Sequence, residues 1–143
     1  MFIYDVTGIR VRYADTDQMG YVYYGNYARY YEIGRVEALR ALGFHYKEME
    51  DSGIMMPVYD LHCKFHQPAR YDDLLTIRVK ILRPPTVRVC FEYEIRNQEQ
   101  LLLNTGSTTL VFQNIKTGKL CPCPEDLSAK LRPFFSEHNE WLA

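Results

Sequence analysis

Two carboxylates, Asp15 and Asp17, stand one residue apart in the stretch YADTDQMGYVYYGNYARYY, residues 13 to 31. No Lys or Arg lies between Tyr13 and Ala28, and two glycines and six tyrosines follow Asp17 before the stretch ends. A carboxylate without a cation beside it can attack a carbonyl carbon or take a proton from water. Gly25 lets backbone approach a ligand closely, and Gly20 lets the chain turn back over it. Met19, Tyr21, Tyr23 and Tyr27 offer a wall for an apolar group, with no Arg between Tyr13 and Ala28 to clamp a carboxylate. The chemistry these types suit is acyl transfer to water from a neutral aliphatic or aromatic acyl group. Plainer roles fit the same residues. Asp-x-Asp ahead of a helix also serves loops and caps, and tyrosines at helical spacing also fill cores or subunit contacts.

The element that must position this loop comes directly after it. Tyr27, Tyr30, Tyr31, Ile33, Gly34, Val36, Leu39 and Leu42 recur at helical spacing, which predicts a helix over 27 to 42. Asn26 suits its N-cap and Gly43 its C-terminal stop. The first N–H groups of a helix lack internal partners, and its dipole favours negative charge there. An acyl carbonyl at that end would find donors for a developing oxyanion.

Ile9, Val11 and Tyr13 alternate with Arg10 and Arg12, predicting a strand ahead of the loop. A shorter helical piece, HYKEMEDSG, closes at Gly53. Beyond it the period is two. Apolar residues alternate with polar ones over 59–66, 75–81 and 87–96, and then from Leu101 to Phe112 with a parity change that predicts a bulge near Gly106. One-sided alternation favours antiparallel pairing, and NIKTGK reads as a hairpin turn. PEDLSAKL opens a C-terminal helix that Pro133 curtails. The order predicts an α+β domain of two layers, the apolar sheet face wrapped on the helix of 27 to 42.

Composition narrows the function classes. The 143 residues carry 47% apolar and 24% charged side chains, ordinary values for one globular domain, 1–143. A formal net charge of −1 argues against nucleic-acid and membrane-surface roles, which need a basic excess. MFIYDVTGIRVRY lacks the basic-then-apolar pattern of a signal peptide, so a cytoplasmic location with four reduced cysteines is expected. Cys121 and Cys123 form C-P-C, not C-x-x-C, and His62 and His66 share a strand face from which Cys63 points away. No metal site and no cofactor is expected.

The pattern Y-x-D-T-D-x-x-G-x-V-Y-Y-x-N-Y over 13–27, followed by the helix, resembles the 4-hydroxybenzoyl-CoA thioesterase-like branch of the hotdog-fold proteins. A second match is Q-P-A-R-Y-D-D-L-L at 67 to 75. The resemblance covers nearly the whole chain and implies a hotdog fold, an antiparallel sheet wrapped around one long central helix. It implies an acyl-CoA thioesterase without metal or redox cofactor, CoA entering as part of the substrate. It puts the catalytic carboxylate on Asp17 and the oxyanion-binding amide on Tyr24, with Gly25 and Asn26 adjoining. It also implies dimers or homotetramers with active sites between subunits. Two departures stand out. Many members carry a histidine where this chain has Tyr24. The namesake's basic run that meets the nucleotide phosphates is replaced by RPPTVR, leaving Arg83 and Arg88 as the candidates.

Three rivals remain at this level. A hotdog dehydratase needs a His and an acid at its site, and the loop and helix contain no His. A non-catalytic acyl-binding or scaffold protein would not need Asp17, Gly20 and Tyr24-Gly25-Asn26 together. A thioesterase acting on acyl-carrier protein would share every one of these residues.

Overall fold

The computed structural model describes residues 1–135. Strand β1 (Phe2–Arg10) leads through one 3-10 turn (Tyr13–Asp15) and a loop into helix α1 (Asn26–Ala41). Helix α2 (Tyr46–Asp51) and strand β2 (Ile54–Met55) follow, then β3 (Val58–Phe65), β4 (Leu74–Ile81), β5 (Arg88–Arg96), β6 (Leu102–Val111) and β7 (Gln113–Asn114). Helix α3 (Glu125–Leu131) comes last, with residues 136–143 of the expected domain outside the described residues. The main sheet is antiparallel in the order β1-β4-β5-β6-β3, and β2 pairs with β7 in a separate ribbon.

Period-two patterning decides which sheet face is covered. Leu75, Ile77, Val79 and Ile81 of β4 and Phe91, Tyr93 and Ile95 of β5 are wholly buried, while Arg78, Glu92 and Arg88 between them face water. α1 lies on the buried face, against β1, β4 and β5. Gly34 sets how close it comes: a Cβ there would stand 2.9 Å from Cγ2 of both Ile77 and Val79. The helix turns Tyr27, Tyr30, Tyr31, Ala38 and Leu39 into this contact.

Four expectations change in detail. At 16 residues α1 has ordinary length and is not one long central helix; Gly43 at φ +82° ends it. Its N-cap is Gly25, with no side-chain cap bond, because the Asn26 side chain is committed elsewhere. The first strand runs Phe2–Arg10 rather than 9 to 13, since Gly8 (φ +77°) bulges it and Tyr13 enters the 3-10 turn. The bulge expected at Gly106 lies earlier, opposite Ile95 and Arg96, so Leu103 and Asn104 are both buried. Gly106 has a different task. It faces Tyr31, whose hydroxyl donates to Asn104 Oδ1 and stands 3.3 Å from Cys63 Sγ.

The NIKTGK turn and the helix after Pro124 form as the pattern predicts. No described helix is long and apolar enough to cross a membrane.

A methyl group at Gly106 would land on the Tyr31 hydroxyl and 2.6 Å from the His62 carbonyl oxygen, which is backbone and cannot rotate away. Gly106→Ala should therefore lose about 3 kcal/mol of stability, the upper range for overpacking. Urea melts would measure it, and a variant as stable as the parent would show that β3 and β6 yield at this point.

Candidate active site

The loop between β1 and α1 is knotted around Asp15. The residue is buried at 7% exposure; Oδ2 accepts from the Arg12 N–H at 2.9 Å and the Tyr30 hydroxyl at 3.3 Å, and Oδ1 accepts from Arg29. Its carbonyl oxygen accepts the Tyr23 N–H at 2.9 Å and the Asn26 side-chain N–H at 2.8 Å. Burial, then the Asp15 charge, pushes the Tyr30 phenol well above its ordinary range, so it stays protonated and keeps donating. Asp15 is thereby fully engaged as an acceptor and bound to the helix it precedes.

Asp17 is held differently. Its Oδ1 accepts the Met19 N–H at 2.9 Å and the Tyr21 N–H at 3.4 Å, while Oδ2 accepts from no described residue. Gly20, at φ +78°, closes this turn by donating to the Asp17 carbonyl oxygen at 3.0 Å. The half-buried carboxylate borders a cavity of about 330 Å³. Tyr21, Val22, Tyr24 and Tyr27 line it from the loop and helix; Phe65, His66, Gln67 and Pro68 line it from the end of β3. A larger cavity of about 470 Å³ lies on the polar sheet face. Its lining includes the Lys80–Glu94 ion pair, a surface suited to solvent rather than to an acyl group.

At the start of α1, the Asn26 N–H donates to the Tyr23 carbonyl oxygen (2.9 Å) and the Tyr27 N–H to that of Tyr24 (3.3 Å). The N–H groups of Tyr24 and Gly25 donate to no described acceptor. Those two amides are the open donors of the helix start. Gly25 is tightly flanked, since a Cβ there would come 2.6 Å from the Tyr23 ring.

The sequence candidates thus divide. Asp17, Tyr21, Tyr24 and Tyr27 share one cavity, with Gly25 next in chain. Asn26 supplies no open amide; its side chain ties the helix start to Asp15. Met19 is 71% exposed, and neither it, Gly20 nor Tyr23 forms part of the wall. Arg83 and Arg88 do not border the cavity; Arg88 lies over the Tyr59 ring near the opposite end of β3. The wall from Phe65 to Pro68 was missed because it lies some forty residues from the loop. Its one signal was the second motif, which begins at Gln67. An arginine does stand near the wall: Arg70 lies 4.9 Å from the centre of the Tyr21 ring. Tyr27 is no base, because burial raises its phenol above the ordinary range.

Asp15→Ala leaves Arg29, Tyr30 and the Arg12 N–H without their shared acceptor, while the main-chain carbonyl that holds Tyr23 and Asn26 remains. A loss of about 2–3 kcal/mol is expected, below the full cost of a broken buried pair because Arg29 is half exposed. A thermal melt would measure it; a drop in turnover without any drop in stability would instead put Asp15 in the chemistry.

A profile of the thioesterase-like superfamily matches residues 11–131. The acyl-CoA thioester hydrolase YbgC of Escherichia coli is 33% identical over 124 residues, 87% of this chain and 92% of that protein. The putative acyl-CoA thioesterase YneP of Bacillus subtilis is 37% identical over 89 residues, 62% of this chain and 64% of that protein's length. Among solved structures, the DHNA-CoA thioesterase of Staphylococcus aureus is 32% identical, covers 98% of this chain and 87% of its own, and superposes with a TM-score of 0.76. The chain belongs to the thioesterase-like superfamily, has its hotdog-like α+β fold, and is a thioester hydrolase.

Proposed function

We propose that this protein hydrolyses a neutral acyl-CoA to the free acid and CoA. The observation that supports this reading is the sharing of one aromatic-walled cavity by the Asp17 carboxylate and Tyr24, whose N–H, with that of Gly25, has no acceptor among the described residues. The thioester carbonyl oxygen points at those two amides, which stabilise the charge that builds on it, each by about 3 kcal/mol. Asp17 then acts in one of two ways. As nucleophile, its open Oδ2 attacks the carbonyl carbon, CoA thiolate leaves, and water cleaves the resulting mixed anhydride. As general base, it takes a proton from a water that attacks the carbonyl directly, and the departing thiolate receives that proton. Both routes end in the same products and need no further cofactor.

The acyl group is neutral in this reading because no Lys or Arg among the described residues lines the cavity to meet a second carboxylate. Arg70 stands over Tyr21 but does not line the cavity. The enzyme assembles as a dimer or homotetramer. Every residue of the edge strand β3 is at least partly exposed, including Val58, Tyr59, Leu61 and Phe65, and its outer N–H and C=O row is an open template for pairing. Sedimentation at micromolar concentration should show more than one chain per particle, and a monomer would contradict this.

Asp17→Asn keeps the side chain's shape and its hydrogen bonds from Met19 and Tyr21 while removing the reacting charge. Single-turnover hydrolysis should slow by at least ~100-fold, with little change in substrate affinity. A folded Asp17→Asn protein that turns over at the parent rate would end the assignment.

A further inference from the structure

We infer that Arg70 binds the phosphate that ends the pantetheine arm of the substrate's carrier. The inference rests on the reading of the Asp17 cavity as the thioester site. Arg70 is exposed and forms no ion pair with a described carboxylate. Its guanidinium lies over the ring of Tyr21, a residue of the cavity wall, yet Arg70 is not part of that wall itself. It therefore stands outside the cavity that takes the acyl group, where the rest of the carrier must pass.

The backbone from which this side chain springs is fixed on both sides. Tyr21 and Arg70 pair across an antiparallel bridge, and the Val22 N–H donates to the Ala69 carbonyl oxygen at 2.8 Å. The Arg70 N–H donates to Asp73 Oδ2 at 2.9 Å. Nearby carboxylates have other duties: Asp72 faces Arg10, and Asp73 also accepts from Gln98. The Arg70 side chain, its central carbon 4.9 Å from the ring centre, donates to no described acceptor, which leaves open the N–H fork that takes two phosphate oxygens at once. Coenzyme A and carrier-protein-bound phosphopantetheine both present such a phosphate.

Arg70→Met keeps an apolar stem over Tyr21 and removes the fork. It would be assayed, with its melting temperature checked, on one acyl group carried by CoA, by acyl-carrier protein and by N-acetylcysteamine, which has no phosphate. KM for acyl-CoA should rise about 10- to 50-fold with kcat nearly unchanged, and N-acetylcysteamine thioester hydrolysis should not change. Added salt should raise the parent's KM for acyl-CoA and hardly affect the variant's, because the contact is exposed. A rise confined to acyl-carrier protein would uphold the phosphate contact and assign it to that carrier. An equal loss on all three carriers would overturn it, showing that Arg70 only supports Tyr21, and no loss on any would overturn it too. Calorimetry of CoA and of pantetheine with parent and variant separates the two readings. If the parent hydrolyses no thioester, the proposed function fails, while weaker CoA binding by Arg70→Met alone still upholds Arg70. Equal CoA binding, with no loss on acyl-carrier protein, overturns it.

Discussion

The buried Asp15 carboxylate is the constraint on which the site depends. A charge at 7% exposure is costly unless its oxygens are satisfied, and here both are, by Arg29, Tyr30 and the Arg12 N–H. Since its carbonyl oxygen also takes Tyr23 and Asn26, one residue fastens the end of β1, the loop and the first turns of α1 together. Asp17 and the Tyr24 amide can then face one cavity without either being a tether. Neighbouring acids have been given opposite work: one is spent on structure so that the other is left partly free.

The same division runs through the helix start. A helix N-terminus ordinarily has its donors met by a cap or by water. Here Gly25 occupies the cap position without a side chain to offer, and the nearest polar side chain, Asn26, is turned back to Asp15. The Tyr24 and Gly25 amides, which precede the first helical turn, also meet no described acceptor. In the proposed reading, those two amides are donors already in place when charge develops on the carbonyl oxygen.

The sheet positions the other wall. α1 approaches β4 only because Gly34 has no Cβ, and Tyr31 reaches the β3–β6 seam only because Gly106 has none. β3 is thus carried to the edge of the sheet with Phe65 against the Tyr27 ring, their centroids 5.2 Å apart in an edge-to-face contact. That contact joins the helix side of the cavity to the strand side. The end of β3 is also where the His66 and Gln67 N–H groups both donate to the Leu103 carbonyl oxygen, so the strand stops and the wall residues turn inward to Pro68.

Local pattern alone settled a good deal. The period-two runs fixed the three central strands and the helical spacing from Tyr27 fixed α1 within a residue at each end, while the family resemblance of the quoted motif pointed to Asp17, Tyr24 and Gly25 as candidates. These are properties of neighbours in the chain, so the chain displays them. The different fates of Asp15 and Asp17 were not legible, because two aspartates in one loop look alike until Arg29 and Tyr30 come round on the helix face to claim one of them. Nor was the bulge opposite Ile95, since the parity change it causes can be read at any residue until the β5 partner sets the register. The wall at Phe65 to Pro68 and the seat of Arg70 over Tyr21 belong to the tertiary structure alone. Both join segments roughly forty to fifty residues apart, and only the packing of α1 on the sheet and the Tyr21–Arg70 bridge bring those segments within reach.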